Sequence, residues 1–358
     1  IYNQNQDYNA EIGTDKYATF RFFNDKFSNG VTFDSVTKEW NNVKDYFLAF
    51  EEWFNDTVWY HYIGFLIYCG TSVVDIYNLY KDTPKDLFTK KLKDVIKLQL
   101  KDVNCTKDLQ DLNIDSNVDE IVKVADSFLD SEEISNNISH KYAYNIELQF
   151  SNKDKAKIRE ILLLYNLQFI VNQYEETKKK AKGEIFVKFP FELFKKENWD
   201  VEHIDSYTTN AINDKKLQVE WLRTARIDTS DKLDILKNDI INFIESKNNA
   251  RSFDELKKSI IDLAGETTND EETKNSIGNL TLLSADINRS YGNALFPTKR
   301  RIIIEKDNEG KFIPICTKNV FLKYFDKHGF SRTQWTDNDI ENHQNNIGEI
   351  LNEFLTIK

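Results

Sequence analysis

The spacing of hydrophobic residues predicts that most of the chain is helical. Apolar residues recur at three- and four-residue intervals over residues 38–100 and again over 155–174, which is typical of helices with a buried face. Glycine and proline, which interrupt helices, number only 11 and 4. In the first helical region we predict one buried stripe, which consists of Trp40, Val43, Phe47, Phe50 and Phe54.

Two short strands with helices between them are predicted farther along the chain. One strand surrounds His203 and the second covers Leu280–Leu283, whereas residues 215–265 between them have helical periodicity. Ser284 is a favourable N-cap for a helix that begins after the second strand and ends near Gly292.

The C-terminal part carries two further patterns. Residues 300–305 and 312–315 flank the sequence Asp307-Asn308-Glu309-Gly310, and this arrangement predicts a β-hairpin. Residues 336–356 have the apolar spacing of one more helix.

A change of character marks the boundary between two predicted domains. A lysine-rich run ends at Gly183, and short apolar segments replace the helical periodicity after it. We place the boundary within residues 141–180 and predict a helical domain over 1–154 and a second domain over 155–358. The acidic stretch 101–140 has an irregular pattern, which indicates a surface insertion or a set of short helices.

The charge distribution restricts where nucleic acid could bind. The chain carries a net charge of −11, so it is a poor non-specific binder of nucleic acid as a whole. Residues 289–327 contain nine basic and four acidic residues, a local charge of +5, which leaves −16 on the rest. Within this segment the predicted phosphate contacts are Arg289, Lys299, Arg300 and Arg301.

Other features of the composition limit the class of protein. No apolar run approaches the ~20 residues of a membrane span, and the chain does not start with a signal-peptide pattern. Cys69, Cys105 and Cys316 lie far apart without CxxC spacing, which argues against a disulfide framework and a zinc knuckle. We therefore predict a cytoplasmic protein that does not bind membranes.

The sequence starts with Ile1 and contains no methionine. We expect it to be a fragment or a processed product, and we hypothesise that methionines are missing from it, for instance as a modified residue. An intact mass equal to that of the printed sequence would refute this hypothesis.

Candidate chemistry concentrates around Glu202 and His203. Hydrolysis of a phosphodiester needs a base to activate water, a cation to stabilise the developing charge and positive groups to hold the backbone. A neutral imidazole is a suitable base near pH 7, and Mg²⁺ prefers carboxylate and amide oxygens. Glu202 could supply a carboxylate, and Asn288, in the first turns of the helix after the second strand, could supply an amide oxygen.

The strand geometry sets a condition on this site. Neighbouring residues of a strand point to opposite faces, so Glu202 and His203 share a site only if the strand ends or is bulged there. Each residue alone also has a more ordinary explanation, since a single histidine in an apolar strand is more often a packed core residue. Asparagine is abundant in this chain, and Lys299-Arg300-Arg301 by itself is typical of a solvated edge. Only the ordered combination favours a catalytic site.

The ordered motifs resemble the HNH nucleases, also called His-Me finger or ββα-metal nucleases. The C-terminal HNH-like domain of GmrSD-type restriction enzymes is the closer resemblance, and it extends over about 155–356. The segments that carry it are Ile161-Leu162-Leu163-Leu164-Tyr165-Asn166, Lys188-Phe189-Pro190-Phe191, Trp199-Asp200-Val201-Glu202-His203-Ile204, Ile277-Gly278-Asn279-Leu280-Thr281-Leu282-Leu283, Asn288, Asn293, Phe296 and Lys299.

The resemblance implies a fold and a wider organisation. The fold would be mainly α, with a helical N-terminal domain followed by a ββα-metal (HNH-like) nuclease domain that contains a helical insertion. Residues 40–100, with Trp59-Tyr60-His61-Tyr62-Ile63-Gly64, resemble the helical portion that precedes this domain in the same proteins. Their N-terminal ParB-like nucleotide-binding module has no counterpart here, so the chain would be the C-terminal part of a larger enzyme.

The resemblance also implies residue roles. His203 would be the general base, and Glu202 and Asn288 would be ligands of a divalent cation, Mg²⁺ or alternatively Mn²⁺. Asn279 would hold the metal loop, and Asn293 would be an additional ligand. Phosphate would be bound by Lys299 and Arg300, with Arg289 and Arg301 as further basic candidates.

The implied activity is cleavage of foreign or modified DNA in defence against phage. Two alternatives stay open, a catalytically decayed scaffold that binds DNA or a partner, and a nuclease that cuts RNA. The oligomeric state also stays open, a homodimer included. The chain departs from the family pattern at Asp205-Ser206-Tyr207, where Pro or Gln is frequent, and at Asn342-His343, where Arg is frequent.

Overall fold

The structure, a computed structural model, is mainly helical in the residues that it describes, with one small sheet among them, as predicted. It falls into two compact units, Ile1–Asp130 with Val171–Phe189, and Ser131–Ile170 with Pro190–Lys358. Residues 171–189 therefore group with the first unit, whereas the sequence assigned them to the second domain. The residues that the structure describes are 16–28, 30–100, 152–179, 188–205, 212–228, 234–247, 250–264, 276–287, 294–324 and 334–355. The predictions for 101–140 and Gly292 lie outside them.

Five helices form the described part of the first unit before residue 101. They are α1 (Ala18–Lys26), α2 (Phe33–Asn55), α3 (Thr57–Tyr68), α4 (Val73–Tyr80) and α5 (Lys85–Leu100). Polar side chains fix where these helices begin, since Thr32 and Ser35 form a capping box at α2 and Asp56 accepts the Trp59 N–H at α3. Asp56 thereby ends one helix and starts the next.

The core of the first unit is aromatic. Trp59 and Phe88 meet edge to face with ring centroids 5.1 Å apart, and Tyr80 packs against Phe88 at 5.2 Å. The Trp59 indole N–H donates to Thr89 Oγ1 at 2.8 Å, so this large side chain is buried with its polar group satisfied.

The predicted buried stripe of α2 is wrong. Trp40, Phe47 and Phe54 are 63%, 68% and 58% exposed, whereas α2 buries Ala49 and Trp53 instead. Apolar side chains occur on both sides of this helix, and the Trp53 ring packs against Tyr80 of α4 and Phe88 of α5. Periodicity identifies a helix and its apolar positions, but it does not decide which of two apolar faces is covered.

His61 anchors Phe189 within the first unit. The imidazole is fully buried, donates from Nδ1 to the Thr57 carbonyl at 2.6 Å and accepts the Phe189 N–H at Nε2, 3.1 Å away. Burial lowers the pKa of His61 to about 4, which matches a neutral ring with one donor and one acceptor. Tyr60 adds a hydrogen bond from its hydroxyl to the Phe189 carbonyl.

The described elements of the second unit surround a two-stranded antiparallel sheet. Helix α6 (Asn152–Lys179) contributes residues to both units. The elements that follow are α7 (Phe191–Lys196), β1 (Asp200–His203), α8 (Lys215–Asp228), α9 (Lys237–Ile244), α10 (Phe253–Ala264), β2 (Leu280–Leu283), α11 (Phe296–Asn308), α12 (Ile315–Leu322), α13 (Asp337–Ile350) and α14 (Asn352–Leu355). Short 3₁₀ turns cover Asp234–Leu236 and Ile277–Asn279.

The helical insertion between the strands is confirmed, and its hydrophobic cluster is separate from the one around the sheet. Helices α8 to α10 bury one cluster that includes Leu222, Ile240, Phe253, Leu256 and Ile260. A second cluster joins the strands to the C-terminal helices and includes Ile204, Leu283, Phe296, Trp335 and Ile340. The insertion is therefore stabilised by a hydrophobic cluster that is separate from the one around the sheet.

The predicted hairpin at 300–315 is wrong, because α11 runs through the first of its supposed strands. Pro297 in the first turn favours a helix start, and the Asp307-Asn308-Glu309-Gly310 sequence ends the helix. Gly310 adopts a φ of +80°, which glycine tolerates and which suits a helix C-terminus as well as a hairpin turn. The residues that predicted a hairpin turn thus form the C-terminus of α11.

Other predictions on this unit agree with the structure. A helical segment begins at residue 285, directly after Ser284, and the predicted C-terminal helix corresponds to α13 and α14. Of the cysteines that the structure describes, Cys69 of the first unit and Cys316 of the second unit form no disulfide. None of the described helices is both long enough and apolar enough to cross a membrane.

Gly278 lets α13 approach the sheet closely. A Cβ built on Gly278 would lie 2.2 Å from the Ile340 carbonyl oxygen, which belongs to the helix backbone. His343, one turn farther along α13, is buried and donates from Nδ1 to the Gly278 carbonyl at 2.8 Å. Burial lowers the pKa of His343 to about 4.

We expect Gly278→Ala to destabilise the second unit, because backbone atoms would have to move apart. The expected loss is about 1–3 kcal/mol of unfolding free energy, measured by denaturant unfolding. Gly348→Ala in the same helix is the control, since a Cβ there meets nothing within 4 Å. That variant should be neutral or slightly more stable, and an equal loss in both variants would contradict the packing argument.

The His343 contact predicts an acid-sensitive stability. Its folded pKa of about 4 lies below the unfolded value of 6.5, so the unfolded chain takes up this proton first as the pH falls. Above pH 6.5 the protonation of His343 does not reduce the free energy of unfolding. As the pH falls from 6.5 to 4, it reduces the free energy of unfolding by up to about 3 kcal/mol. His343→Gln should flatten that part of the stability–pH curve, and identical slopes in wild type and variant would refute the assignment.

Candidate functional site

The pairing of β1 with β2 places Glu202 and His203. Glu202 lies opposite Thr281 and His203 lies opposite Leu280, and the Ile204 N–H extends the ladder to the Asn279 carbonyl at 2.8 Å. Consecutive residues of a strand alternate in direction, so Glu202 and His203 project from opposite faces. His203 is the last residue of β1, and backbone hydrogen bonding continues at Ile204, so a site shared by Glu202 and His203 stays a prediction.

Glu202 is held by Lys299 of α11. Glu202 Oε1 accepts from Lys299 Nζ at 3.1 Å, and the same ammonium donates to the His203 carbonyl at 2.7 Å. The Lys299 side chain is 0% exposed and that of Glu202 is 14% exposed. The sequence placed Lys299 at the surface as a phosphate contact, whereas here it lies inside the protein because α11 packs over the end of β1.

Asn279 fixes the chain directly after His203. Its fully buried side chain accepts the Asp205 N–H at Oδ1, 3.0 Å away, and donates from Nδ2 to the Asp205 carbonyl at 2.9 Å. A primary amide offers one acceptor and one donor side by side, so it pairs with a peptide group as another strand would. Asn279 therefore makes both hydrogen bonds to the backbone of Asp205, and its role in a metal loop stays a prediction.

The sequence reasoning missed the residues that hold Asn279. His343 donates to the Gly278 carbonyl, and the Asn279 N–H donates to the Ser276 carbonyl at 2.9 Å. The only signal in the sequence was the departure at Asn342-His343 from the family's Arg. This departure puts a buried neutral ring behind the turn that carries Asn279.

A second set of polar side chains joins β2 to the surrounding helices. Thr281 Oγ1 lies 2.8 Å from Thr317 Oγ1 of α12, and Thr317 donates to the Leu282 carbonyl at 2.7 Å. Asn166, the last residue of the Leu-Leu-Leu-x-Asn motif, accepts the Cys316 N–H at the start of α12 and donates to the Leu162 carbonyl. This motif is therefore a helix-positioning device in α6.

The basic residues of α11 and α12 are largely compensated by acids. Arg301 pairs with Glu305 at 2.9 Å and Lys306 pairs with Glu309 at 2.8 Å, both at the surface. Lys318 pairs with Asp307. Arg300 is half-buried. Surface pairs of this kind are weak, so these cations stay able to exchange an acid for a phosphate.

The ligand set for a cation is incomplete in the described part of the chain. Asn288, Arg289 and Asn293 lie outside the described residues, and within the described ranges no three His, Cys, Asp or Glu side chains form a metal-binding group. A carboxylate and an imidazole, such as those of Glu202 and His203, are suitable ligands for a divalent cation. Two side chains alone are too few to hold one. The cation site therefore stays a prediction.

Comparisons with known proteins agree with the motif-based assignment. Residues 254–350 match a family model described as GmrSD restriction endonucleases, C-terminal domain. The match runs from α10 to α13, so it includes Asn279 and Lys299 and begins after β1. Comparisons with curated proteins and with solved structures gave no match. The chain is therefore similar to the GmrSD restriction endonucleases over residues 254–350.

Proposed function

We propose that this chain is the nuclease part of a GmrSD-type restriction enzyme and hydrolyses phosphodiester bonds of DNA with His203 as the general base. The observation that carries the proposal is the double hydrogen bond from Asn279 to Asp205. Asn279 lies inside the matched domain 254–350, and Asp205 lies two positions after His203. The family match and the Glu202-His203 motif are thereby connected in one piece of structure.

In the proposed reaction, the neutral His203 imidazole takes a proton from the attacking water. Its peptide carbonyl is fixed by Lys299 and the loop after it by Asn279, so the ring is presented from a rigid strand end. Glu202, Asn288 and Asn293 would hold Mg²⁺ or Mn²⁺. Such a cation supplies stabilisation of the charge on the phosphorane and on the leaving oxygen.

The proposed DNA contacts come from the basic segment that follows the sheet. Arg289, Arg300 and Arg301 would meet phosphates, whereas the buried position of Lys299 assigns it to Glu202 instead. Because the rest of the chain is strongly acidic, DNA would be attracted to this segment and repelled elsewhere. The binding should weaken steeply with salt.

The biological role that we propose is defence in the cytoplasm against phage, through cleavage of foreign or modified DNA. The similarity of residues 254–350 to a domain of restriction endonucleases supports this role. A ParB-like nucleotide-binding module would control when the nuclease acts. Recognition of a modification would then depend on that module and not on the residues around His203.

His203→Ala should abolish nicking of plasmid DNA in Mg²⁺ and in Mn²⁺, because the variant lacks the imidazole proposed as the general base. The fold should be retained, as judged by circular dichroism and thermal unfolding. Equal cutting by wild type and variant would exclude His203 as the base. Cutting of RNA but not DNA in a parallel digest would favour the RNA-cleaving alternative, and DNA binding without cutting in any metal would favour a decayed scaffold.

Asn279→Ala should lower the cleavage rate per folded molecule by about 10–100-fold, because the loop after His203 loses both hydrogen bonds. It should also cost about 1–3 kcal/mol of stability. Asn166→Ala is the matched control, since Asn166 is another buried amide with two hydrogen bonds to the backbone of the same unit. Similar stability losses with equal cleavage rates in the two variants would show that Asn279 has only a structural role.

A further inference from the structure

The carboxylate proposed to bind the cation already has a positive charge beside it. Lys299 Nζ lies 3.1 Å from Glu202 Oε1. Among the described residues, Glu202 Oε2 makes no hydrogen bond or ion pair. Glu202 Oε1 is thus paired with Lys299, and Oε2 is the oxygen that a cation could contact.

Lys299 cannot leave this position easily. Its side chain is 0% exposed, its backbone N–H bonds to the Leu295 carbonyl in the first turn of α11, and its neighbours Phe296 and Thr298 are buried as well. The ammonium also donates to the His203 carbonyl at 2.7 Å. An arriving cation would therefore meet Glu202 with Lys299 still in place.

The charges of Glu202 and Lys299 act strongly on a cation that approaches Glu202. Buried groups are screened less by water and salt than surface groups are. The ammonium cancels most of the negative potential of Glu202 and repels a divalent cation at Oε2. Without DNA, the two charges sum to zero, which is a poor site for Mg²⁺ or Mn²⁺.

A DNA phosphate would supply the missing negative charge. We propose that Lys299 is a resident counter-ion that keeps the cation affinity of the Glu202 site low until DNA is bound. Cation binding and DNA binding then strengthen each other by the same factor. This inference rests on the proposed function in one respect, namely that Glu202 is a cation ligand.

The test is a titration of the full chain with Mn²⁺ in the absence of DNA, followed by electron paramagnetic resonance of the free ion. Lys299→Gln removes the charge but keeps a donor for Glu202 and for the His203 carbonyl, so it should fold. We expect this variant to bind Mn²⁺ at least about tenfold more tightly than wild type. Lys299→Arg, which keeps the charge, should stay within about twofold of wild type.

A matched control separates this effect from the loss of a buried ion pair. Lys323 is 2% exposed and pairs with Asp339 at 2.7 Å in the same unit. Lys323→Gln should reduce stability without changing Mn²⁺ affinity. If Lys299→Gln does not fold, Lys299→Met is the second neutral variant, with folding checked by circular dichroism.

A second titration adds a DNA duplex, with His203→Ala in every chain so that the duplex is not cut. DNA should raise the Mn²⁺ affinity of the Lys299 chain by at least about tenfold and that of the Lys299→Gln chain by much less. No tightening in the neutral variant without DNA, or an equal effect of DNA on both chains, overturns the inference and leaves the proposed function intact. Absence of Mn²⁺ binding by every chain, with or without DNA, overturns the cation part of the proposed function itself.

Discussion

The structure of the second unit depends on the pairing of two four-residue strands that are far apart in sequence. A ribbon of this size is not stable by itself, so its position has to be set by groups outside the sheet. Asn279 extends the ladder with a side-chain amide, Lys299 holds the end of β1, and Thr317 bonds to β2. Each of these side chains is buried and bonded to backbone, which makes the strand end rigid.

The motif residues therefore divide by what their side chains touch. The side chains of Asn166 and Asn279 form hydrogen bonds with backbone groups that would otherwise be unpaired. Gly278 has no side chain, and this lets the backbone of α13 approach closely. Lys299 touches a carboxylate and a carbonyl, although a lysine beside two arginines looks like part of a basic surface. Electrostatics at the site is thus set by one buried pair, and the surface cations of α11 contribute attraction at longer range.

Much of the fold was predictable from the sequence, because periodicity and caps are local signals. The helices, the two strands, the insertion and the helix start after Ser284 were found in this way. The buried face of α2 was not, since Trp40 and Trp53 are equally apolar. Only the tertiary packing of Tyr80 and Phe88 against Trp53 decides between them. The Asp307-Asn308-Glu309-Gly310 turn was also ambiguous, because a positive φ at glycine ends helices and hairpins alike. The Lys299–Glu202 contact joins residues 97 positions apart, and no local pattern encodes it.

The insertion of α8 to α10 has a consequence for how the protein is made. Contacts between distant segments form late in folding, and β1 reaches its partner only after the insertion and its own core have been synthesised. The strand end at His203 is completed later still, when α11 and α13 deliver Lys299 and His343. A ribosome-bound chain that stops before residue 343 lacks this support. The order of the segments thus delays completion of the strand end at His203 until α13 has been synthesised.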